Sequence, residues 1–445
     1  MPATDVADAK FNARRPFDRL RAHALAVVDV KQMHPQIISL FSGAGGLDYG
    51  FEAAGFKTAV TLEMDRDCCA TLRANGRNWP VIEDDVFNVT SEKLLGIAKL
   101  RPGEAALVIG GPPCQPFSKA GYWSRGDSLR LADPRSNTLS AYMRIVEDAL
   151  PQAFLLENVE GLAFEGKDEG LQLLLRGIER INKKTGSHYM PVIRKLNAAE
   201  HGVPQLRERV IVIAARDGTL FQFPQPTFTE TPETGLIVGT ALSPYRTAWD
   251  ALADVHPEPS ERLEPQGKWA RLLPTIPEGS NYLHHTERGA GLPLFGWRRR
   301  YWTFLLKLAK AKPSWTIQAQ PGPAVGPFHW DSRRLSMREL CRVQTFPDNV
   351  SITGGRTAVQ RQVGNAVPSL LGEVLGRGIR TQLLGMPKQR GALRLLPPDR
   401  GPAPAPELLP EVPDEYRNLV GAHDAHPGTG KGYGAIARAG DDVVA

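Results

Sequence analysis

From Gln36 onward, short apolar runs alternate with amphipathic ones. "IISLF", "TAVTLEM", "AALVIGG", "AFLLENV" and "RVIVIAA" are nearly continuous apolar stretches bounded by glycine or polar residues, the pattern of strands buried on both faces. Between them, "GLDYGFEAAGF", "DCCATLRAN", "TLSAYMRIVEDAL" and "GLQLLLRGIERINKK" repeat apolar residues at helical spacing. "MPVIRKLNA" with "RVIVIAA" predicts a hairpin-like pair. The alternation predicts an α/β fold built on a mostly parallel, doubly wound sheet.

The rhythm breaks near Pro224, where "FPQPTFTETPETG" reads as a linker. Residues 226–351 lack βα alternation and hold most of the tryptophans. They include the basic–aromatic run "WRRRYWTFLLKLAKAK", with Lys307, Lys310 and Lys312 in its second half. The apolar spacing of "WTFLLKLAKA" predicts a core helix there. Helical "SMRELCRVQTF" and "RQVGNAVPSLLGEVLGRGI" then resume core-like packing. The expected organisation is an extension (1–34), the first part of the main domain (35–225), a smaller irregular domain (226–351), a return segment (352–388) and a flexible Pro/Gly-rich tail (389–445).

Composition narrows the class. The 445 residues are 42% hydrophobic and 23% charged, an ordinary globular balance with ample material for a core. A net charge of +6, from 54 bases against 48 acids, leans mildly toward a polyanionic partner. The four cysteines, Cys68, Cys69, Cys114 and Cys341, form neither a disulfide framework nor a zinc spacing. No metal is expected, and a reducing cytosol fits. "LRAHALAVVDV" is too short and too charged for a signal peptide or membrane span.

The candidate chemistry gathers at strand ends. "SGAGG" after the first strand carries Gly43, Gly45 and Gly46, which allow close approach of a ligand to the backbone and to a helix N-terminus. Glu63 ends the second strand, 20 residues after Gly43, where an acid can bond ribose hydroxyls. Asp84, Asp85 and Val86 end the third. The spacing is not G-x-G-x-x-G, which lowers a dehydrogenase reading and leaves S-adenosylmethionine open. After the fourth strand, "GGPPCQPFS" holds Cys114 in a stiff proline loop that displays a thiol. Glu157 and Asn158 end the next strand, and "QLRERV" adds Gln205, Arg207 and Arg209, two arginines on one strand face. Cys68, Cys69 and Cys341, in helical segments, read as packing.

In order, "SLFSGAGGLDYGFEAAGF", "LEMD", "DDV", "GGPPCQPFS", "ENV", "QLRERV", "RELCRVQTFPD" and "RQVGNAVP" resemble the DNA (cytosine-5) methyltransferase family of bacterial restriction-modification type. The resemblance covers roughly residues 36–225 and 333–385. It implies a Rossmann-like S-adenosylmethionine-dependent domain and makes 226–351 a target-recognition domain. By that resemblance, Cys114 attacks carbon 6 of a flipped-out cytosine, and Glu157 holds or protonates ring nitrogen 3. Arg209, with Arg207, contacts the base or braces the glutamate. Phe41, Gly43, Gly45, Gly46, Leu47 and Pro112 line the cofactor pocket, Glu63 takes the ribose, and Met64 lies against the adenine. Asp85 and Val86 read its edge, and Asn365 helps close the site. Gln115, Ser118, Lys119 and Arg125 belong to a loop that closes over DNA, and Arg298, Arg299 and Arg300 pin phosphates or read guanine edges. The implied partners are double-stranded DNA and a restriction endonuclease of the same specificity. The product is S-adenosylhomocysteine, and the enzyme is expected to be a cytoplasmic monomer. A tRNA cytosine-5 methyltransferase, a non-catalytic nucleic-acid-binding relative and a thiol oxidoreductase remain alternatives at this point.

Overall fold

The computed structural model describes residues 34–75, 77–113, 137–158, 169–231, 236–237, 240–296 and 302–420. The apolar runs become strands β1 (Gln36–Leu40), β2 (Lys57–Glu63), β3 (Val81–Glu83), β4 (Leu107–Gly110), β5 (Ala153–Asn158), β6 (Val192–Asn197) and β7 (Glu208–Ala215). They form one sheet in the order β3-β2-β1-β4-β5-β7-β6. Neighbours from β3 to β5 pair in parallel, whereas β7 runs antiparallel to β5 and β6. The mostly parallel sheet and the β6–β7 hairpin-like pair are therefore both present. The order reverses direction between β1 and β4, and ligands of open α/β sheets bind at such a switch point, outside the carboxyl ends of the strands.

Successive residues of each central strand enter opposite cores, as the period of two requires. Ile38, Leu40, Val108 and Phe154 pack on one face, beneath α3 (Ser91–Ala98), α4 (Asn137–Ala149) and α5 (Glu169–Thr185). Ile37, Leu107, Ile109 and Leu155 pack on the other, which carries α1 (Gly46–Ala53). At the sheet edge, α2 (Arg66–Ala74) starts at Asp65, whose side chain accepts from the Asp67 and Cys68 backbone N–H groups.

The return segment completes the second layer. After α6 (Ala248–Leu252) come α7 (Met337–Val343), α8 (Arg356–Asn365) and α9 (Ser369–Gln382). Helix α9 lies on α1 so closely that a Cβ on Gly50 would stand 2.2 Å from the Ser369 carbonyl oxygen. A Cβ on Gly376 would meet Ala54 at 2.7 Å. Small residues here set the approach of the two helices. Helix α7 begins in a capping box between Ser336 and Glu339. Its buried Leu340, Cys341 and Val343 share a core with Ala44 and Tyr49 of the main domain and Leu252 of α6. The helix thus joins the two regions.

The described residues between 226 and 335 are mostly irregular and enclose a small core of Leu272, Leu273, Ile276, Tyr282, Leu305 and Phe328 beside Trp269. The helix predicted over "WTFLLKLAKA" is not there. Its described residues, 302–311, form turns and bridges, because backbone N–H groups of Leu305, Lys307 and Leu308 bond carbonyls of Ala324, Ser280 and Phe328. Burial of Leu305, Leu306 and Leu308 is met by those distant partners instead of a helical turn.

The tail also differs from expectation. Residues 389–420 are extended but fastened. Buried Glu373 accepts from the Arg394 and Leu395 N–H groups, and Asp250 accepts from the Arg400 N–H at 2.9 Å. Tyr416 stacks on Trp269 with ring centroids 5.6 Å apart. Prolines remove donors from this segment, and acidic side chains of the body bond the donors that remain.

Overpacking a well-filled contact costs about 1–3 kcal/mol. Gly50→Ala should lower the unfolding free energy by that amount, whereas Gly96→Ala in α3, where a Cβ meets nothing within 4 Å, should leave it unchanged or raise it. Equal effects in equilibrium unfolding would refute the close-contact account.

Candidate active site

Two groups of side chains meet along the carboxyl edge of the sheet. The first surrounds the β1 turn. Phe41 leaves β1 with φ of 53°, a left-handed conformation that is costly for a bulky residue and characteristic of ligand-binding turns. Gly43 and Gly45 also have positive φ, and a Cβ on Gly43 would project into open space. Gly45 caps α1 without a side-chain bond, so the helix's first N–H groups are left for a ligand. Gly46 is pressed against the return segment, 2.4 Å from the Val367 carbonyl for an added Cβ.

At the end of β2, the Glu63 carboxylate accepts from three backbone N–H groups: Gly43 at 2.8 Å, Met64 at 2.9 Å and Asp65 at 2.8 Å. Burial raises its pKa, while the Gly43 and Met64 N–H groups and the charge of Arg361 oppose the rise. Oε2 carries one of the three bonds, so it retains capacity for a hydroxyl donor. Met64 is 66% exposed, a rare state for a large apolar residue and an open surface for a flat ring. Asp85 holds the next turn through the Phe87 N–H, 3.1 Å away. The side chains of Leu47 and Val86 are buried in the two cores, and the Val86 carbonyl already accepts from Arg144. Any contact from these two residues to a ligand is left to the backbone. Asn365 is exposed at the end of α8, two residues before Val367.

The second group lies at β4 and β5. Glu157 Oε1 is 2.8 Å from Arg209 Nε, and both side chains are largely buried. A Cβ on Gly111 would stand 2.8 Å from Glu157 Oε2, so a larger residue there would displace that oxygen. The Asn158 amide donates to the Pro112 carbonyl at 3.2 Å and ties the head of the proline loop to β5. Cys114 lies outside the described residues, as do Gln115, Ser118, Lys119, Arg125, Arg298, Arg299 and Arg300.

Arg207 does not share the Glu157 contact. It is 1% exposed, and its guanidinium donates to the carbonyls of Ile317, Gly364 and Ala366, at 3.4, 2.8 and 2.9 Å. The strand is interrupted at this residue, between Gln205–Leu206 and β7, so the two-residue face rule fails locally. The side-chain amide of Gln205 works alongside it, donating to Gln344 and accepting from the Ile317 N–H. Lys307 and Lys310 are 3% and 7% exposed, and Lys310 is paired with Glu278. They belong to the interior and do not extend a basic surface.

Sequence reasoning missed Arg361. It pairs with Asp65 and Asp67 and pins α8 to the strand end that carries Glu63. No local pattern marks a pair so distant in sequence. Burial pushes the Cys69 and Cys341 thiols up to about 12, which leaves them protonated and supports their reading as packing. Among the described residues, no cluster suited to a metal ion occurs, and no helix is long and apolar enough to cross a membrane.

The sheet order, with a carboxylate at the end of β2 and a carboxylate–arginine pair at the end of β5, is a Rossmann-like α/β arrangement with its polar groups gathered at the carboxyl edge. Residues 35–381 match the model of the C-5 cytosine-specific DNA methylases. The chain is 40% identical over 369 residues to the Type II methyltransferase M.SacI of Streptomyces achromogenes, covering 78% of this chain and 93% of that one. It is 43% identical over 229 residues to M.AquIA of Picosynechococcus, covering 51% and 90%. Among solved structures, a variant of Spodoptera frugiperda DNMT2 superposes with a TM-score of 0.54 at 14% identity, covering 78% of this chain and 99% of that one. The chain belongs to the C-5 cytosine-specific DNA methylase family. It is an enzyme of that family, and the DNA reading holds over the tRNA alternative.

One buried acid beside the site has a consequence for stability. Asp48, in the first turn of α1, is fully buried, and neither carboxyl oxygen makes a hydrogen bond of good geometry. Desolvation lifts its pKa to about 7, against smaller opposing effects of Ser39 and Thr58. The unfolded chain loses this proton near pH 3.8, and the folded chain keeps it to about pH 7. Stability therefore falls as pH rises through that window, by about 1.4 kcal/mol per unit, and is level above it. Asp48→Asn, which mimics the protonated form, should be more stable than the parent at pH 8, with the gap closing toward pH 4. A gap that does not change with pH, in urea titrations, would refute the burial argument.

Proposed function

We propose that the enzyme methylates carbon 5 of one cytosine within a short specific duplex sequence, through a transient Cys114 adduct. The observation that carries this reading is the Glu157–Arg209 pair beside Gly111, three residues before the cysteine. The target atoms are inaccessible in stacked duplex DNA, so the base must leave the helix. Arg209 then holds Oε1 of Glu157 and orients Oε2 toward ring nitrogen 3. The Cys114 thiolate adds to carbon 6, and the developing negative charge on the ring is relieved at nitrogen 3 by the Glu157 carboxyl. S-adenosylmethionine, when bound, supplies an electrophilic methyl group. Carbon 5 accepts the methyl with S-adenosylhomocysteine as the leaving group, a base removes the carbon-5 proton, and departure of the thiolate restores the ring as the nitrogen-3 proton returns to Glu157.

The β1–β3 edge fits the nucleoside part of that cofactor. Glu63 offers an acceptor for the ribose diol, Met64 an apolar face for the adenine, and the uncapped start of α1 a place for a polar group. The kinship with Type II methyltransferases supports a modification role paired with an endonuclease of the same specificity. A cytoplasmic monomer acting on DNA agrees with that role.

Incubation with duplex DNA containing 5-fluorocytosine and S-adenosylmethionine should give a denaturation-resistant protein–DNA complex, because fluorine cannot leave as the proton does. Cys114→Ala should abolish both this complex and transfer of labelled methyl. Retained transfer in the alanine variant would eliminate the covalent route. In calorimetry, Glu63→Ala should weaken S-adenosylmethionine binding by about tenfold or more, the scale of a lost hydrogen bond to a charged group. An unchanged dissociation constant would remove Glu63 from the ribose site.

A further inference from the structure

We propose that a cleft of about 470 Å³ between residues 317–328 and the start of α8 seats a phosphate of the DNA backbone, with Arg334 and Arg356 as its cations. The inference rests on the DNA-methyltransferase reading and adds a contact site to it. The cleft is lined by Gln320, Pro321, Phe328, Arg334, Arg356 and Gln360. Two guanidinium groups thus share one half-enclosed space, and each acts on the other as a like charge.

Their usual partners are engaged elsewhere. Glu339, the nearest acid on α7, is held by both terminal nitrogens of Arg333 and by the Ser336 N–H. Glu261 accepts from the Met337 N–H. Arg356 gives one bond to the Leu335 carbonyl, at 2.7 Å. Among the described residues, the Arg334 guanidinium has no hydrogen bond or ion pair, although its backbone is fixed by an N–H bond to Leu263. Glu261 and Glu339 offset part of the Arg356 charge without forming an ion pair with it, and a pair left only partly balanced suits an anion, whose phosphate oxygens fit arginine's fork.

The helix beside the cleft agrees. Helix α8 starts at Gly355 with no side-chain cap and no acid in its first turn, and its first residue is the cation Arg356. That placement opposes the helix dipole unless negative charge arrives from outside. Thr357 and Gln360 add polar groups to the same wall.

Position selects DNA as the source of the phosphate. Ile317 lines the cleft, and its carbonyl accepts from Arg207, two residues before Arg209. Trp315 pairs with Leu206 on the same short ladder. The cleft therefore adjoins the strand that carries the base-holding pair, where a strand with an everted nucleotide must pass. A free phosphate would use the same chemistry, and the test distinguishes the two.

The binding of a labelled mixed-sequence duplex to the full chain is measured by fluorescence anisotropy across a salt series. Each phosphate neutralised contributes about 0.9 to the slope of log K against log salt. Arg334→Gln should weaken binding several-fold at low salt and reduce the slope by about that amount, while Arg334→Lys keeps the slope. S-adenosylmethionine affinity and thermal unfolding should be unchanged in both, which separates a lost contact from a damaged fold. Arg356→Gln should reduce the slope likewise if it folds. An unchanged slope in Arg334→Gln overturns the proposal. So does protection of the parent alone by inorganic phosphate with no change in the DNA slope, which would make this a free-anion site. Trapping of the parent on 5-fluorocytosine DNA is run alongside. If trapping succeeds and the slope does not move, only the phosphate seat fails; if trapping fails, the methyltransferase reading itself is at fault.

Discussion

The guanidinium of Arg207 carries a full charge into the interior, where no carboxylate bonds it, and its two terminal nitrogens donate instead to backbone carbonyls of Ile317, Gly364 and Ala366. Burial and the nearby Arg209 charge push its pKa down, and the Glu157 charge opposes them. Two stretches remote in sequence are thereby fixed to the β6–β7 hairpin: the end of the irregular region and the turn between α8 and α9. Losing either of them would leave a buried donor unmatched, which is more costly than never making the bond. The close α1–α9 contact, the Gln205–Gln344 bond and the Arg361 ion pairs all depend on the same arrangement.

With that frame fixed, the two halves of the site differ in physical character. The β1–β3 edge is made mainly of backbone: a strained Phe41, glycines with positive φ and a carboxylate held by three N–H groups with one oxygen still able to accept. Such a surface is rigid and preorganised for a ligand of constant shape. The β4–β5 edge is made of charged side chains, with Glu157 wedged between Arg209 and the bare Cα of Gly111. Its geometry leaves one carboxyl oxygen facing the head of the proline loop.

The irregular region and the C-terminal strap show how little regular structure a chain needs when distant partners are available. Lys307 and Lys310, placed by composition in a basic run, are interior groups that bond and balance acids across loops. The strap closes over α6, α9 and Trp269 through Asp250, Glu373 and an aromatic stack. It is extended up to a short helical turn at Asp414–Arg417, and the N–H groups of Arg394, Leu395 and Arg400 meet buried acids.

The strands, the main helices and the order of motifs were legible in the sequence because they are written in local terms: periodicity, glycine turns and acids at strand ends. Glu63 at the tip of β2 and Glu157 at the tip of β5 were found on that ground, as was the β6–β7 pair. The partners of those residues were not local. That Arg209 meets Glu157 while Arg207 turns to carbonyls more than a hundred residues away depends on a break in the strand that no spacing rule records. The same holds for Arg361 on Asp65, for the packing of 302–311 without a helix, and for the fastening of the tail. Sequence determines which groups can carry charge and which runs must be buried. Only the tertiary structure decides which charges are neutralised, because that depends on contacts between segments that close long loops and are invisible to any short window.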